Sequence, residues 1–294
     1  MPIRSSMVGQ VQKRKGKTMN RLSTGKRAQI LSCLVEGMGI NATSRVSRVS
    51  KNTVLKLLRD VGKACSEYQD KGLINLDCKR LQCDEIWSFC YAKKKNVPKD
   101  LKGKFGYGDV WTWVAIDADT KLVPSWFVGD RDADAAYRFM SDLAKRLNGR
   151  VQLTTDGHRP YLEATEGAFG IDIDFAMLIK LYGHNPDGEK RYSPPHIIET
   201  RSKVVNGNPD PKHISTSYVE RQNLTMRMSM RRFTRLTNGH SKKIENHIYA
   251  ISLHFMYYNF CRIHQSLRIT PAMEAGITVH VWDLEDLVRL VDSK

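Results

Sequence analysis

The segment between residues 81 and 181 constrains the fold of this chain most, because strand and helix patterns alternate there in a definite order. Apolar, β-branched and aromatic runs predict strands at 81–89, 110–116, 122–128, 151–156 and 174–181. Apolar residues at helical spacing predict helices at 132–147 and 161–169, the first capped by Asp132. The order β-β-β-α-β-α-β predicts an α/β domain with a mixed sheet flanked by helices.

Positive charge is concentrated at the N-terminal end of the chain. Residues 1–60 hold thirteen Lys and Arg against two acids, so a net charge of +11 out of the chain's +16 lies there. A basic module joined to a nearly balanced body is typical of a protein with a polyanionic partner such as DNA. The alternative is a soluble protein from a lineage whose proteins are generally basic.

Residues 21–66 carry the pattern of an all-α helix-turn-helix domain. Ser23 and Thr24 can cap a first helix, a short second segment begins at Asn41, and Ser50 can cap a longer third helix. The outward positions of the third helix hold residue types that reach phosphates and base edges. These predicted DNA-binding residues are Lys51, Asn52, Thr53, Lys56 and Arg59. An unrelated three-helix cap with a solvated basic face is the alternative.

The remaining segments complete the predicted domain organisation. Residues 1–20 are expected to be a disordered basic tail, which adds nonspecific phosphate contacts or has no role. Residues 67–79 are expected to form a connector, 80–278 the catalytic domain and 279–294 a C-terminal helix. Within the catalytic domain, a Pro-, Gly- and Asn-rich stretch at about 182–213 is expected to be an insertion on the DNA-facing side.

Two function classes are excluded by composition. No run of about 18 apolar residues is present, so a membrane span is not expected, and the N-terminus lacks the apolar core of a secretory signal. The six cysteines include no CxxC pair, which argues against a zinc site and leaves reduced thiols as the simplest interpretation. We therefore expect a cytoplasmic protein, associated with the nucleoid.

Three acidic residues are candidates for a metal-dependent phosphoryl-transfer site. Asp84 lies within the first strand, Asp156 ends the fourth strand, and Glu220 lies in the first turn of a later predicted helix. Two divalent ions about 4 Å apart can activate a nucleophile and stabilise the leaving oxygen, and Mg²⁺ prefers carboxylate ligands. Glu85 is expected to point to the opposite face of the sheet.

A basic strip follows Glu220. Residues 221–243 contain seven Lys or Arg and no acid. Such a strip is suited to lie along DNA, and Arg227, two turns after Glu220, would lie on roughly the same helix face. Arg227, Arg231 and Arg232 are therefore predicted to contact DNA.

Several motifs together resemble the transposases of the IS1 insertion-sequence family. They are Asp84-Glu85-Ile86-Trp87-Ser88-Phe89, Thr155-Asp156-Gly157, Tyr218-Val219-Glu220-Arg221-Gln222-Asn223-Leu224 and Tyr258-Asn259-Phe260-Cys261-Arg262-Ile263-His264. The resemblance covers about residues 22–278. It implies a ribonuclease H-like catalytic domain, Mg²⁺ or Mn²⁺ as cofactor, and an Asp84–Asp156–Glu220 triad. Unlike many members of that family, this chain shows no cysteine-rich zinc-binding segment and is one continuous reading frame.

The resulting functional hypothesis is an insertion-sequence DNA transposase that works as a homo-oligomer on double-stranded DNA. It would bind terminal inverted repeats, cleave the 3′ ends and join them to target DNA. Two alternatives stay open. One is a ribonuclease H-like nuclease that cleaves without joining strands, and the other is a non-enzymatic helix-turn-helix remnant that binds DNA.

Overall fold

The structure is a computed structural model that describes residues 21–183, 197–234 and 237–293. The predicted basic tail, residues 1–20, lies outside the described residues, as does 184–196 within the predicted insertion. Residues 235, 236 and 294 also lie outside them.

The described chain contains a mixed sheet of six strands in the order β3-β2-β1-β4-β5-β6. The strands are β1 (Arg80–Cys90), β2 (Gly108–Asp117), β3 (Trp126–Gly129), β4 (Val151–Thr155), β5 (Ile173–Tyr182) and β6 (Ile197–Asn206). β1 pairs with β2, β2 with β3 and β5 with β6 in antiparallel fashion, whereas β1, β4 and β5 are parallel. The predicted mixed α/β architecture is confirmed.

Helices cover both faces of this sheet. They are α1 (Thr24–Val35), α2 (Ile40–Ser47), α3 (Lys51–Gly72), α4 (Ala133–Arg146), α5 (Pro160–Phe169), α6 (Ser217–Ser229), α7 (Ile244–Met256), α8 (Pro271–Glu274) and α9 (Leu284–Asp292). Alternate β1 residues separate the two layers. Asp84 and Ser88 contact α6 and α7, whereas Glu85 faces the side of α5.

The local helix-start signals operate as the sequence predicts. Ser23 Oγ accepts a hydrogen bond from the Lys26 amide at 3.2 Å. Ser50 Oγ accepts one from the Thr53 amide at 3.1 Å, and Asp132 accepts one from Ala135 at 2.9 Å. In each case the capping side chain satisfies an amide that the first helical turn leaves without a partner.

Two segments differ from the predicted pattern. The third strand is shorter than 122–128, because the Asn259 side chain takes both backbone groups of Val123, at 3.0 and 2.9 Å, in place of a neighbouring strand. β6 lies inside the segment expected to be an irregular insertion, and it extends the sheet by pairing with β5. Its residues are almost all exposed.

The N-terminal helices are joined to the rest of the chain by a shared core. α3 does not end near residue 66 but continues to Gly72, through the first part of the predicted connector, and packs along α7. The C-terminal helix α9 packs on α1 and α3, with Leu287 and Val288 buried. Arg27 and Asp292 form a bidentate pair, with both nitrogen–oxygen distances 2.7 Å.

No helix within the described ranges combines the length and the apolar character that crossing a membrane would need.

The contact between α3 and α7 gives a test of this packing. A Cβ atom at Gly62 would lie 2.5 Å from the carbonyl oxygen of Tyr249, so Gly62→Ala must push two helix backbones apart. We expect it to lower the free energy of unfolding by about 1–3 kcal/mol, measured by urea denaturation. Gly72→Ala is the matched control in the same helix, since its Cβ would make only an ordinary contact, 3.6 Å from the Tyr68 ring. Equal stability of the two variants would contradict the close approach.

Candidate active site

The parallel pairing of β1 with β4 brings two predicted acids to one edge of the sheet. The last paired residues are Cys83 and Thr155, and the next residue on each strand is acidic. Asp84 and Asp156 therefore lie side by side beyond the ends of the ladder. Strand register, rather than the loops, sets their proximity.

Glu85 joins these two carboxylates. One oxygen of each of Asp84, Glu85 and Asp156 can be chosen so that all three lie within 4.8 Å of one another. Glu85 does face the other side of the sheet, as alternation predicts, yet its carboxylate still lies close to those of Asp84 and Asp156. Asp156 follows the end of β4, where the sheet no longer divides its two faces. We call these three residues the acid cluster.

Asp84 is crowded and largely shielded from water. Its Oδ2 accepts a hydrogen bond from Asn223 Nδ2 at 2.9 Å, and its Oδ1 accepts one from the Glu85 amide at 2.8 Å. Burial, followed by the negative charge of Asp156, raises the pKa of Asp84 to about 7. The charge of Glu220 raises this pKa further, so Glu220 lies within electrostatic reach of Asp84.

Arg131 is the cation that contacts the acid cluster. Its Nε lies 3.1 Å from Glu85 Oε2, and a terminal nitrogen lies 3.7 Å from Asp156 Oδ2. The Glu85 side chain is only 1% exposed. Burial and then the charge of Asp156 raise the pKa of Glu85 to about 8 in spite of this cation. One guanidinium therefore offsets only part of the repulsion.

The acid cluster suits a hard divalent cation. Its donors are all carboxylate oxygens, and they are close enough together to be shared by one ion. Burial and then the charge of Asp156 raise the pKa values of both Asp84 and Glu85, and a bound cation would favour their charged forms. Asp84 and Asp156 are the members suited to hold such an ion, since Glu85 is buried and lies closer to Arg131 than does Asp156, whose side chain is 35% exposed.

Glu220 lies beside the acid cluster rather than within it. It is in the first turn of α6, as predicted, and its side chain is 44% exposed. The carboxylate is paired with Lys180 of β5 and accepts a hydrogen bond from Thr216 Oγ1 at 2.5 Å. The structure thus brings Asp84 and Asp156 together and holds Glu220 one helical turn before Asn223, which contacts Asp84.

Gln82, which no sequence motif indicated, connects α6 to β1. The buried Gln82 Oε1 accepts hydrogen bonds from the amides of Tyr218 and Val219, at 2.8 and 3.2 Å. Gln82 thereby caps the start of α6, because the side chain of the N-cap residue Thr216 makes no capping hydrogen bond. The sequence feature that could have indicated Gln82 is its position two residues before Asp84, which places both side chains on the same face of β1.

The predicted DNA-binding residues of α3 all lie at the surface. Lys51, Asn52, Lys56 and Arg59 are exposed and Thr53 is half-buried. Between α2 and α3, Arg48 takes a left-handed conformation with φ of 53°, and Ser44 Oγ donates to the Val49 carbonyl at 2.6 Å. These contacts fix a tight turn between the two helices.

The three predicted arginines after Glu220 have different surroundings. Arg227 is half-buried in the last turn of α6, and Arg231 is exposed. Arg232 is half-buried, and its guanidinium is held inside the protein. It donates hydrogen bonds to Ser241 Oγ at 2.8 Å and to the Asn246 carbonyl at 2.7 Å. Burial lowers the pKa of Arg232 to about 10. These contacts tie it to the start of α7.

The comparisons with known proteins show structural similarity at a distant level only. No protein-family model matches the chain, and no curated protein matches it. Among solved structures, the chain is similar to the piggyBac transposase in a cryo-EM structure of its synaptic complex with hairpin DNA, with a TM-score of 0.39 and 11% identity. The alignment covers 92% of this chain and 70% of that chain. A likeness of this degree does not establish a shared fold or activity.

Proposed function

We propose that the chain is a DNA transposase of an insertion sequence, which cleaves 3′ ends and joins them to target DNA with divalent metal ions. The observation that carries this proposal is the pair Asp84 and Asp156, placed side by side just past the last residue pair of the parallel β1–β4 ladder. Glu220 is proposed as the third acid of the site, because its charge acts on Asp84 from the first turn of α6.

The topology and the sequence motifs support the same proposal. The element order and the sheet order β3-β2-β1-β4-β5 are compatible with a ribonuclease H-like domain. The motifs around Asp84, Asp156 and Glu220 resemble those of IS1-family transposases. In this proposal residues 80–278 form the catalytic domain, and β6 is an addition within it.

Mg²⁺ or Mn²⁺ is the proposed cofactor, with Asp84 and Asp156 holding it and Glu220 completing the ligand set. Such an ion supplies a nucleophile at neutral pH and stabilises the leaving oxygen of the cleaved phosphodiester. The protein's own groups arrange the ligands. Asn223 orients Asp84 through a hydrogen bond, and Lys180 and Thr216 hold the carboxylate of Glu220.

Residues 21–66 are proposed to bind the ends of the element as a helix-turn-helix. The first half of α3 presents Lys51, Asn52, Lys56 and Arg59 to solvent, whereas its second half is buried against α7. The exposed half could therefore enter the major groove of DNA while the rest of the helix stays packed on the body. Pairing of two element ends requires a homo-oligomer.

The decisive experiment uses purified protein, Mg²⁺ and labelled duplexes carrying both ends of the element that encodes it. We expect nicking at the 3′ ends, followed by joining to a second duplex. Asp156→Asn should lower both rates at least about 100-fold, because Asp156 is proposed to bind the metal directly and not through another residue. Asp134→Asn is the matched control, since Asp134 is 69% exposed on α4 and forms a surface ion pair with Arg138.

The products distinguish the remaining functions. Nicking without joining would identify a nuclease, and tight binding without nicking by wild type would identify a DNA-binding remnant. Equal activity of wild type and Asp156→Asn would reject the proposed site.

The third acid is tested by comparing Glu220→Gln with Glu85→Gln. Glu220→Gln should reduce nicking at least about 100-fold and leave binding of end DNA within about twofold. Glu85→Gln should retain nicking within about tenfold, because Glu85 is buried and engaged with Arg131. Glu166→Gln, an exposed acid on α5, is the control. If only Glu85→Gln abolished nicking, the catalytic set would be the acid cluster itself.

The raised pKa of Asp84 predicts a pH dependence of stability in the metal-free protein. Its folded pKa of about 7 exceeds the ordinary value of 3.8, so the folded state retains a proton that the unfolded chain releases between these values. The free energy of unfolding that Asp84 contributes should therefore fall as pH rises from about 4 to about 7.

We expect the unfolding temperature in EDTA to fall between about pH 4 and about pH 7, and to fall less in Asp84→Asn. Adding Mg²⁺ should restore more stability at the higher pH, where the ligands are deprotonated. Parallel pH profiles for Asp84→Asn and wild type would contradict the assigned pKa.

A further inference from the structure

A cavity of about 670 Å³ lies between the β1–β2 connection and the start of α4, and the proposed function does not account for it. We call it the lysine–aromatic pocket. Its lining includes Lys94, Lys102, Lys104, Phe105, Tyr107 and Trp111. Its volume falls within the roughly 300–1,000 Å³ of typical small-ligand sites.

The lysine–aromatic pocket shares a wall with the acid cluster. Arg131 lines the pocket, and its guanidinium carbon lies 4.9 Å from the centre of the Trp111 ring. The same guanidinium contacts Glu85 at 3.1 Å and Asp156 at 3.7 Å. The Arg131 side chain would therefore lie between a molecule stacked near Trp111 and the proposed metal ligand Asp156.

The loop that forms the pocket is held firmly in place. Gly106 has φ of +85°, and a Cβ there would lie 2.8 Å from Cβ of Ile244 on α7. Gly106 thus allows the loop backbone to approach α7 more closely than any other residue type would permit. The short 3₁₀ turns at Lys94–Asn96 and Lys99–Leu101 give the rest of the loop regular structure.

The chemistry of the lining fits a nucleotide. Lys94, Lys102 and Lys104 are exposed and can bind phosphate oxygens. Phe105 and Tyr107 are 45% and 36% exposed, so a base could stack on their rings. Carboxylates line the same pocket at Asp109 and Asp130, and these can accept hydrogen bonds from the amino group of a base.

We propose that the lysine–aromatic pocket binds one unpaired nucleotide of the DNA strand, beside the phosphodiester that is cleaved at the proposed site of Asp84, Asp156 and Glu220. This inference rests on the proposed function. A paired base keeps its faces inside the duplex stack, so the aromatic side chains can reach a base only when it is unpaired or turned out of the helix. Holding that nucleotide fixes the strand next to the cleaved bond. The carboxylates favour bases that carry an amino group over thymine.

The test measures binding without cleavage, in EDTA, with the full-length protein. The probe is a duplex with one extra, unpaired 2-aminopurine nucleotide, compared with the same duplex fully paired. Wild type should bind the unpaired probe about tenfold more tightly and quench 2-aminopurine fluorescence by stacking. Phe105→Ala should reduce this preference to about twofold or less, without changing affinity for the paired duplex. Lys104→Gln, a second surface variant, should weaken binding of the unpaired probe more than that of the paired one.

Tyr137→Ala is the matched control, because Tyr137 is a similarly exposed ring (54%) on α4 that is not among the pocket's lining residues. It should retain the full preference. Equal binding of the two probes by wild type, or the same loss in Tyr137→Ala as in Phe105→Ala, would overturn the proposal.

Free 2-aminopurine deoxynucleoside monophosphate distinguishes the source of the nucleotide. Binding of the free compound without preference for the unpaired probe would assign the pocket to a soluble nucleotide and reject the DNA subsite. The nicking assay separates this proposal from the proposed function. Preference for the unpaired probe without nicking would uphold the pocket and reject the transposase, and nicking without that preference would do the reverse.

Discussion

The parallel pairing of β1 with β4 is the constraint on which the site depends. Because its last pair is Cys83 and Thr155, two carboxylates emerge together at the point where the sheet stops separating its faces. Glu85 reaches the same point from the opposite side, and the resulting repulsion is only partly balanced by Arg131. Asn223 donates a hydrogen bond to Asp84, and Lys180 and Thr216 hold a further acid, Glu220, nearby. Slipping the register by one residue would turn Asp84 to the other face and remove the arrangement.

The position of α6 depends on a second, weaker link to the same strand. The helix begins without a capping side chain of its own, and Gln82 supplies the missing acceptor from the sheet. Asn223 then contacts Asp84 one turn later. Two residues on one face of β1 thus hold two successive turns of α6, so the distance from Glu220 to the acids is set by hydrogen bonds to the strand. A helix fixed only by apolar packing could rotate or slide by more.

Much of this structure could be predicted because its causes are local. The caps at Ser23, Ser50 and Asp132 involve residues three positions apart, and strand alternation needs only neighbouring residues. Features that depend on distant residues were missed. Asn259 ends the third strand early from 136 positions away, and Gln82 caps a helix 136 positions later. Pattern alone also gave no indication that β6 would extend the sheet, or that Glu85 would reach the acids across it. Periodicity identifies a residue's face, but not which side chains from other elements meet it there.

The continuity of α3 has a consequence for how the protein would measure distance along DNA. The helix is 22 residues long, roughly 33 Å at 1.5 Å per residue, and runs without a break from its exposed basic end to its buried contact with α7. The pair between Arg27 and Asp292 braces α1, the helix beside it, against α9. In the proposed transposase, such an unbroken helix would hold its DNA-binding end at a fixed distance from the site on the sheet. The number of base pairs between a sequence read by its tip and the bond cut at the sheet would be fixed by the protein, at about 3.4 Å for each base pair.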